Sequence, residues 1–192
     1  YSESGKIPTP SEQPLHLTAL GNSISTPKGG ITASVVLFET LDELIAAPAN
    51  SLKGKIAYIN YRMNRDIDGN GYGPAVKARG TGAIEASKKG AVAYMMRSVS
   101  TGHHRFAHTG GSYYKEGVTK IPNVTIANPD ADQIARLIAL DKDVSVNINV
   151  QTESLGEGTG YNVIGQFNGT ENPEQYVLIG EHLDSWDLGT GA

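Results

Sequence analysis

The stretch that decides the fold is Gly90-Ala91-Val92-Ala93-Tyr94-Met95-Met96. Its apolar part has the length of a strand and the continuous hydrophobicity of one buried on both faces. The leading glycine suits the left-handed conformation in which many helices end. We therefore expect a helix that follows Pro74, runs through Glu85 and stops at Gly90, although two internal glycines lower its helical preference. The chain then enters a buried strand at once.

Further strands and helices are predicted on both sides of this stretch. Thr40 and Glu43 form a capping box that opens a short helix, and Pro129 suits the first position of another. Residues 1–14 carry three prolines and predict an extended lead-in without a core of its own. Apolar runs of strand length predict strands at 16–20, 31–38, 55–60, 121–127 and 144–150.

This order of strand, loop, helix, Gly-Ala and strand resembles the protease-associated domain. The resemblance implies an α+β fold, compact and β-rich, of the swivelling β/β/α type, over residues 31–142. Domains of this kind are commonly inserted into peptidases or attached to them. They also occur in receptors and sorting proteins that carry out no hydrolysis.

A candidate metal ligand stands just past the apolar run Tyr176–Ile179. His182 and Asp184 are two residues apart, so their side chains point to the same side of an extended backbone. The carboxylate can then hold one imidazole nitrogen while the other nitrogen faces a metal, as is usual around zinc. A bare His-x-Asp also arises by chance, so the spacing alone leaves both interpretations open.

The longer run Gly180–Ala192 closely resembles the first metal-ligand segment of the co-catalytic zinc exopeptidases. By this resemblance His182 binds zinc and Asp184 is the catalytic residue that orients the site. The family uses two zinc ions, which polarise the scissile carbonyl and lower the pKa of a bridging water. We expect the bridging aspartate, the general-base glutamate and the other ligands beyond Ala192. Glu181 departs from the family, which more often has glycine there.

The two resemblances together divide the chain into three parts. Residues 1–30 would hold the lead-in and the first strand of the peptidase part, and residues 31–142 the protease-associated domain. Residues 143–192 would begin the catalytic domain, an α/β zinc-peptidase sheet. The strands expected in that sheet are 144–150, 161–167 and 176–180.

A second candidate metal site lies in the loop after the strand at 55–60. Asp66, Asp68 and Asn70 place side-chain oxygens at alternate positions, as in the first half of a calcium loop. Lys77 stands where an EF-hand requires a bidentate glutamate, which excludes an EF-hand. A weak calcium site and an ordinary Asp/Asn/Gly turn both remain open.

Three of the five histidines, His103, His104 and His108, are close together in the sequence. A zinc site needs three or four converging ligands, and adjacent histidines point apart in an extended chain. We interpret the segment as a polar loop, with a functional loop as the alternative.

Composition excludes several classes of protein. The net charge of −4 comes from 16 basic and 20 acidic residues scattered along the chain, which gives no reason to expect nucleic acid or a membrane surface as partner. The chain has no cysteine, which excludes disulfides and thiolate zinc sites. No apolar run approaches the ~20 residues that span a bilayer.

We therefore predict the front part of a secreted or periplasmic zinc-dependent exopeptidase, an aminopeptidase or carboxypeptidase acting on small peptides. The 192 residues alone are expected to be inactive, because they lack most of the active site, and a homodimer is possible. The alternative is a non-catalytic protease-associated module that binds protein or peptide partners.

Overall fold

The computed structural model describes residues 2–8, 12–140 and 142–185. These residues form eight strands and three helices. In chain order they are β1 (Ser2–Ile7), β2 (Gln13–Leu15), β3 (Leu17–Ala19), β4 (Ile31–Phe38), α1 (Leu41–Ala46), β5 (Ile56–Ile59), α2 (Tyr72–Lys88), β6 (Ala93–Arg97), β7 (Asn123–Ile126), α3 (Asn128–Ala139) and β8 (Ser145–Gln151). No helix within the described residues is long and apolar enough to cross a membrane.

All eight strands belong to one mixed sheet in the order β2-β1-β8-β4-β5-β6-β7-β3. Strands β4 to β7 run parallel to their neighbours in this series, and the remaining pairs are antiparallel. The strands at the two ends of the order, β2 and β3, are separated in the chain only by His16. Because one residue spans less than about 4 Å, the sheet must curl until its two edges meet.

The curled sheet is buried on both faces along its parallel strands. Ile56 and Tyr58 of β5 pack into one cluster with α3 and with side chains of β1, β6, β7 and β8. Ala57 and Ile59 point the other way and pack with α1 and α2. This period-2 alternation, with apolar residues on both faces, explains the continuous hydrophobicity of the parallel strands.

The prediction around Gly90 is confirmed. Helix α2 begins at Tyr72, two residues before Pro74, and its C-cap is Lys89. Gly90 follows with φ of +88°, the left-handed conformation expected of a helix-ending glycine. Strand β6 begins three residues later.

The capping of α1 is also as predicted, with one difference. The Thr40 hydroxyl accepts a hydrogen bond from the backbone N–H of Glu43 at 3.2 Å. The Glu43 carboxylate, however, accepts from the N–H of Glu39 at 2.8 Å, one residue before the N-cap. The return bond of the capping box therefore also fixes the end of β4.

Residues 2–7 are extended, as predicted, but they form a strand of the sheet and not a lead-in to it. β1 lies between β2 and β8 in the sheet, and its last residue, Ile7, is buried. The prolines do not prevent this, because Pro8 follows β1 and Pro14 lies in β2. β2 is a terminal strand of the sheet order, where a missing N–H is tolerated.

The strands predicted to begin a separate peptidase sheet do not form one among the described residues. β8 forms, but it pairs with β1 and β4 and so belongs to the same sheet as the preceding strands. Residues 161–167 and 176–180 form no strand and are exposed. A strand requires a hydrogen-bonded neighbour, and these segments have none among the described residues. The sheet thus continues across residues 30 and 142, and the limits of the domain stay a prediction.

This architecture predicts where proteases cut. We expect a glutamate-specific protease to cleave first within residues 153–185, for example after Glu153 or Glu157, because the glutamates of this segment are exposed and outside helices and strands. The product that ends at residue 153 should then resist further digestion, as judged by mass spectrometry of a time course. Early cleavage after Glu39 or Glu85, within the packed unit, would contradict this expectation.

Candidate functional site

His182 and Asp184 lie side by side in the structure. The His182 Nδ1 atom is 3.1 Å from Oδ1 of Asp184. Both side chains are exposed, with 76% and 87% of their surface accessible. The hydrogen bond and the charge of His182 lower the pKa of the Asp184 carboxyl below its usual value. The carboxylate therefore stays ionised at neutral pH and can hold the imidazole in one orientation.

The pair lies at an open groove of about 710 Å³ between residues 160–163 and 180–184. The backbone N–H of His182 donates to the Glu181 carboxylate at 2.9 Å. No group of three histidine, cysteine or acidic side chains converges within residues 2–8, 12–140 and 142–185. An imidazole backed by a carboxylate fits zinc, so these residues suit one ligand position of such a site. Residues 186–192 of the predicted segment lie outside the described residues.

The candidate calcium ligands lie in an exposed local turn. Asp66, Asp68 and Asn70 are all exposed. The Asp68 carboxylate accepts hydrogen bonds from the side-chain amide of Asn70 and from its backbone N–H, the latter at 3.2 Å. The Asp66 carbonyl accepts from Gly69 at 3.1 Å. These bonds form a local turn, and a calcium site at these residues stays a prediction.

The histidine segment forms a loop in which three rings are in contact. His104 stacks on Phe106 with ring centroids 5.9 Å apart, and Phe106 meets His108 at 5.1 Å. Partial burial lowers the pKa of His108 below its usual value. His108 is therefore predominantly neutral at neutral pH.

A buried polar network, which no sequence pattern predicted, lies at the carboxyl ends of β5 and β6. Arg97 ends β6 with 3% of its side chain exposed. Its Nε and Nη2 atoms donate to Oδ1 of Asn60, which follows β5, at 3.0 and 2.8 Å. The same oxygen accepts from the hydroxyl of Tyr58 at 2.8 Å, and burial raises the pKa of that hydroxyl. The one local sign of this network is a charged residue closing an apolar run.

Asp132 of α3 supplies the charge that balances Arg97. Its Oδ1 atom lies 2.6 Å from Nη2 of Arg97 and 2.5 Å from Nη2 of the more exposed Arg62. Partial burial raises the pKa of Asp132, but the hydrogen bonds and charges of the two arginines outweigh burial and set the pKa below its usual value. The network therefore joins β5, β6 and α3 at one edge of the sheet.

Proteins similar in sequence to this chain include carboxypeptidase Q from two vertebrates. No family model matches the chain. The Xenopus laevis protein is 35% identical over 190 residues, and the Homo sapiens protein is 34% identical over 195 residues. Each alignment covers 99% of this chain and 39% of the relative. The chain thus spans about two fifths of the length of the curated relatives it matches.

Solved structures show the same similarity. A peptidase M28 precursor from Shewanella amazonensis SB2B is 47% identical with a TM-score of 0.91, covering 99% of this chain and 43% of that chain. An aminopeptidase from Aneurinibacillus sp. strain AM-1, 18% identical with a TM-score of 0.51, shares the fold over 78% of this chain and 30% of its own. The alignments to carboxypeptidase Q and to the M28 precursor extend over 99% of this chain, and they support the zinc exopeptidase family that the His182 segment predicted.

Proposed function

We propose that this chain is part of a zinc-dependent exopeptidase that removes a terminal residue from small peptides. One observation carries the proposal: the 3.1 Å contact between Nδ1 of His182 and Oδ1 of Asp184. Metal-ligating histidines commonly donate a hydrogen bond from one ring nitrogen to a carboxylate while the other nitrogen binds the metal. The names of the similar proteins, carboxypeptidase and peptidase, support the same class of reaction.

Each residue of the pair has a separate role. When Asp184 accepts the Nδ1–H proton, the Nε2 atom of His182 is left with its lone pair, and Nε2 is then the atom that would ligate zinc. Zinc, when bound, supplies Lewis-acid polarisation of the scissile carbonyl. Asp184, ionised at neutral pH, fixes the imidazole plane and its tautomer. Two zinc ions, a general-base glutamate and further ligands complete the proposed site. In this proposal the glutamate and the further ligands come from outside residues 1–192.

The module that precedes the pair belongs to the same proposal. The curled mixed sheet over Ser2–Gln151, with helices packed on both faces, agrees with a protease-associated domain of the β/β/α type. A secreted or periplasmic location and a homodimer are further proposals that accompany the family. The alternative, a binding module without catalysis, is less favoured because the similarity to named peptidases extends through the His182 segment.

The test uses His182→Ala in the full-length protein. The substitution removes a ligand, so we expect loss of at least one zinc per chain after dialysis and a fall in peptidase activity of about 10³-fold or more. Asp184→Asn keeps the shape but weakens orientation of the imidazole, and it should lower zinc affinity by about 10–100-fold.

His103→Ala is the matched control, because this exposed histidine lies in another loop. Zinc content, measured by atomic emission, and activity should both stay at the parental level. A His182→Ala protein that keeps all its zinc would show that this histidine is not a ligand. Zinc loss without loss of activity would instead separate metal binding from the proposed reaction.

A further inference from the structure

The loop that follows β6 is long but firmly held. Residues 98–111 contain no helix or named strand, yet side chains of other elements anchor them. The Asn128 amide at the start of α3 donates to the carbonyls of Ser100 and Gly102 at 3.0 and 2.9 Å. The backbone N–H of His108 donates to the buried Ser98 hydroxyl at 3.0 Å. A long loop fixed in one conformation is frequently functional.

Arg105 fastens the middle of the loop. Its Nε atom lies 2.7 Å from Oδ1 of Asp130, and its Nη2 donates to the Pro14 carbonyl at 2.8 Å. The Asp130 side chain is buried and also accepts from the backbone N–H of His16 at 2.7 Å. Arg105 and the Asp130 carboxylate that it contacts are therefore both used in anchoring the loop.

Three rings of the loop are not used as anchors. His104, Phe106 and His108 alternate along the chain and stack in a row, which we name the ring row. Phe106 lies between the two imidazoles and keeps 41% of its surface exposed. Among the described residues, no hydrogen bond is formed by a ring nitrogen of His104 or His108. The row thus presents free imidazole nitrogens on either side of an aromatic ring.

The segment that carries the ring row contains no acidic residue, and the Asp130 carboxylate that contacts the loop is paired with Arg105. Residues 86–115 contain no aspartate or glutamate, although the chain has 20 acidic residues. The same thirty residues contain five lysines and arginines and three histidines. In addition, the edges of stacked aromatic rings carry partial positive charge. A negatively charged partner therefore matches both the composition and the ring geometry.

We propose that the ring row is a docking surface for an acidic peptide segment. Carboxylates of aspartate or glutamate side chains would accept hydrogen bonds from the imidazoles of His104 and His108. An apolar side chain between these carboxylates would lie against the edge of Phe106. The anchored loop holds the row in place before binding, which lowers the conformational entropy lost on binding. The residues of the ring row are different from those of the His182–Asp184 pair, and neither residue of that pair enters the proposal for the row.

Fluorescence anisotropy of labelled peptides with the full-length protein at pH 7 tests the proposal. The probe is a peptide of sequence Gly-Glu-Phe-Glu-Gly with both ends blocked, and its comparator has glutamine in place of both glutamates. We expect the glutamate peptide to bind about tenfold more tightly, because charge-assisted hydrogen bonds are stronger than neutral ones. Equal affinities would overturn the proposal.

Variants locate the binding on the ring row. His104→Gln combined with His108→Gln should lower affinity for the glutamate peptide by about tenfold. His103→Gln should leave the affinity unchanged, because His103 is outside the row. An equal loss in both variants would overturn the assignment to the row. Equal thermal unfolding midpoints would exclude misfolding as the cause.

A third peptide separates an acidic segment from a chain end. It carries glutamine at both positions and ends in a free carboxylate on a D-residue, which resists hydrolysis. The proposal expects this peptide to bind as weakly as the blocked glutamine comparator. Binding as tight as that of the glutamate peptide would identify a terminal carboxylate as the occupant and overturn the proposed acidic segment.

Discussion

Replacing Arg97 by alanine is expected to lower the free energy of unfolding by about 3–5 kcal/mol. The guanidinium is buried and donates to Asn60 and Asp132. Its removal leaves the buried Asn60 without those donors and Asp132 without its buried partner. Polar groups left unpaired in the interior cost the full loss of their hydration. Urea unfolding followed by circular dichroism measures the change.

Arg62→Ala is the matched control, because Arg62 contacts the same carboxylate oxygen from the surface. With 57% of its side chain exposed, Arg62 should contribute at most about 1 kcal/mol. Equal losses in the two variants would mean that burial of Arg97 does not determine the effect.

The acid dependence of the same variant provides a second measurement. The pKa of Asp132 is lowered in the folded state, so its contribution is present at neutral pH and is lost as pH falls below the usual carboxyl pKa of 3.8. The stability gap between the parent and Arg97→Ala should therefore narrow below that pH. If the difference in unfolding free energy between the parent and Arg97→Ala does not change with pH, the ionised Asp132 carboxylate is not the partner that makes Arg97 stabilising.

Gly82→Ala is expected to lower the free energy of unfolding by about 1–3 kcal/mol, although alanine favours helices more than glycine does. A Cβ atom at Gly82 would lie 2.2 Å from Cζ and 2.3 Å from the hydroxyl oxygen of Tyr94. The ring cannot move aside easily, because it is fully buried and its hydroxyl donates to the Ala78 carbonyl at 2.9 Å. Thermal and denaturant unfolding both report the loss.

Gly73→Ala in the same helix is the matched control. No atom lies within 4 Å of a Cβ built there, so this substitution should raise stability by up to about 1 kcal/mol through helix propensity. In the Gly82→Ala background, Tyr94→Leu removes the obstructing ring, and the two changes should be strongly non-additive. Additive effects would show that the ring is not the cause.

The central part of the fold could be predicted because its signals are local. Apolar runs of strand length, the capping box at Thr40 and the glycine after α2 each act within a few residues. They marked β4, β5, β6, β7 and all three helices correctly to within a few residues. Gly82 was different: it lowered the predicted helical preference, whereas the structure shows that the helix needs glycine there to accommodate Tyr94.

The remaining features depend on distant partners. β1 has few apolar residues and becomes a strand because β8, more than 130 residues later, pairs with it. The exposed runs at 161–167 and 176–180 have the apolar residues typical of strands, but they form no strand because the described residues offer them no neighbouring strand. At the candidate site, the contact between His182 and Asp184 follows from their spacing. The Arg97 network instead joins residues of β5, β6 and α3 and has no local motif.

The pairing of β1 with β8 has a consequence for how such a module can be combined with other proteins. Ser2 and Gln151 face each other in the ladder, so the chain enters and leaves the sheet at neighbouring positions about 5 Å apart. A unit with adjacent ends can be grafted into a surface turn of a host, because the host's flanking residues need to separate very little. Residues 2–151 thus have the geometry of a module that can be inserted into another protein, or exchanged between proteins, without a change in the fold of the recipient.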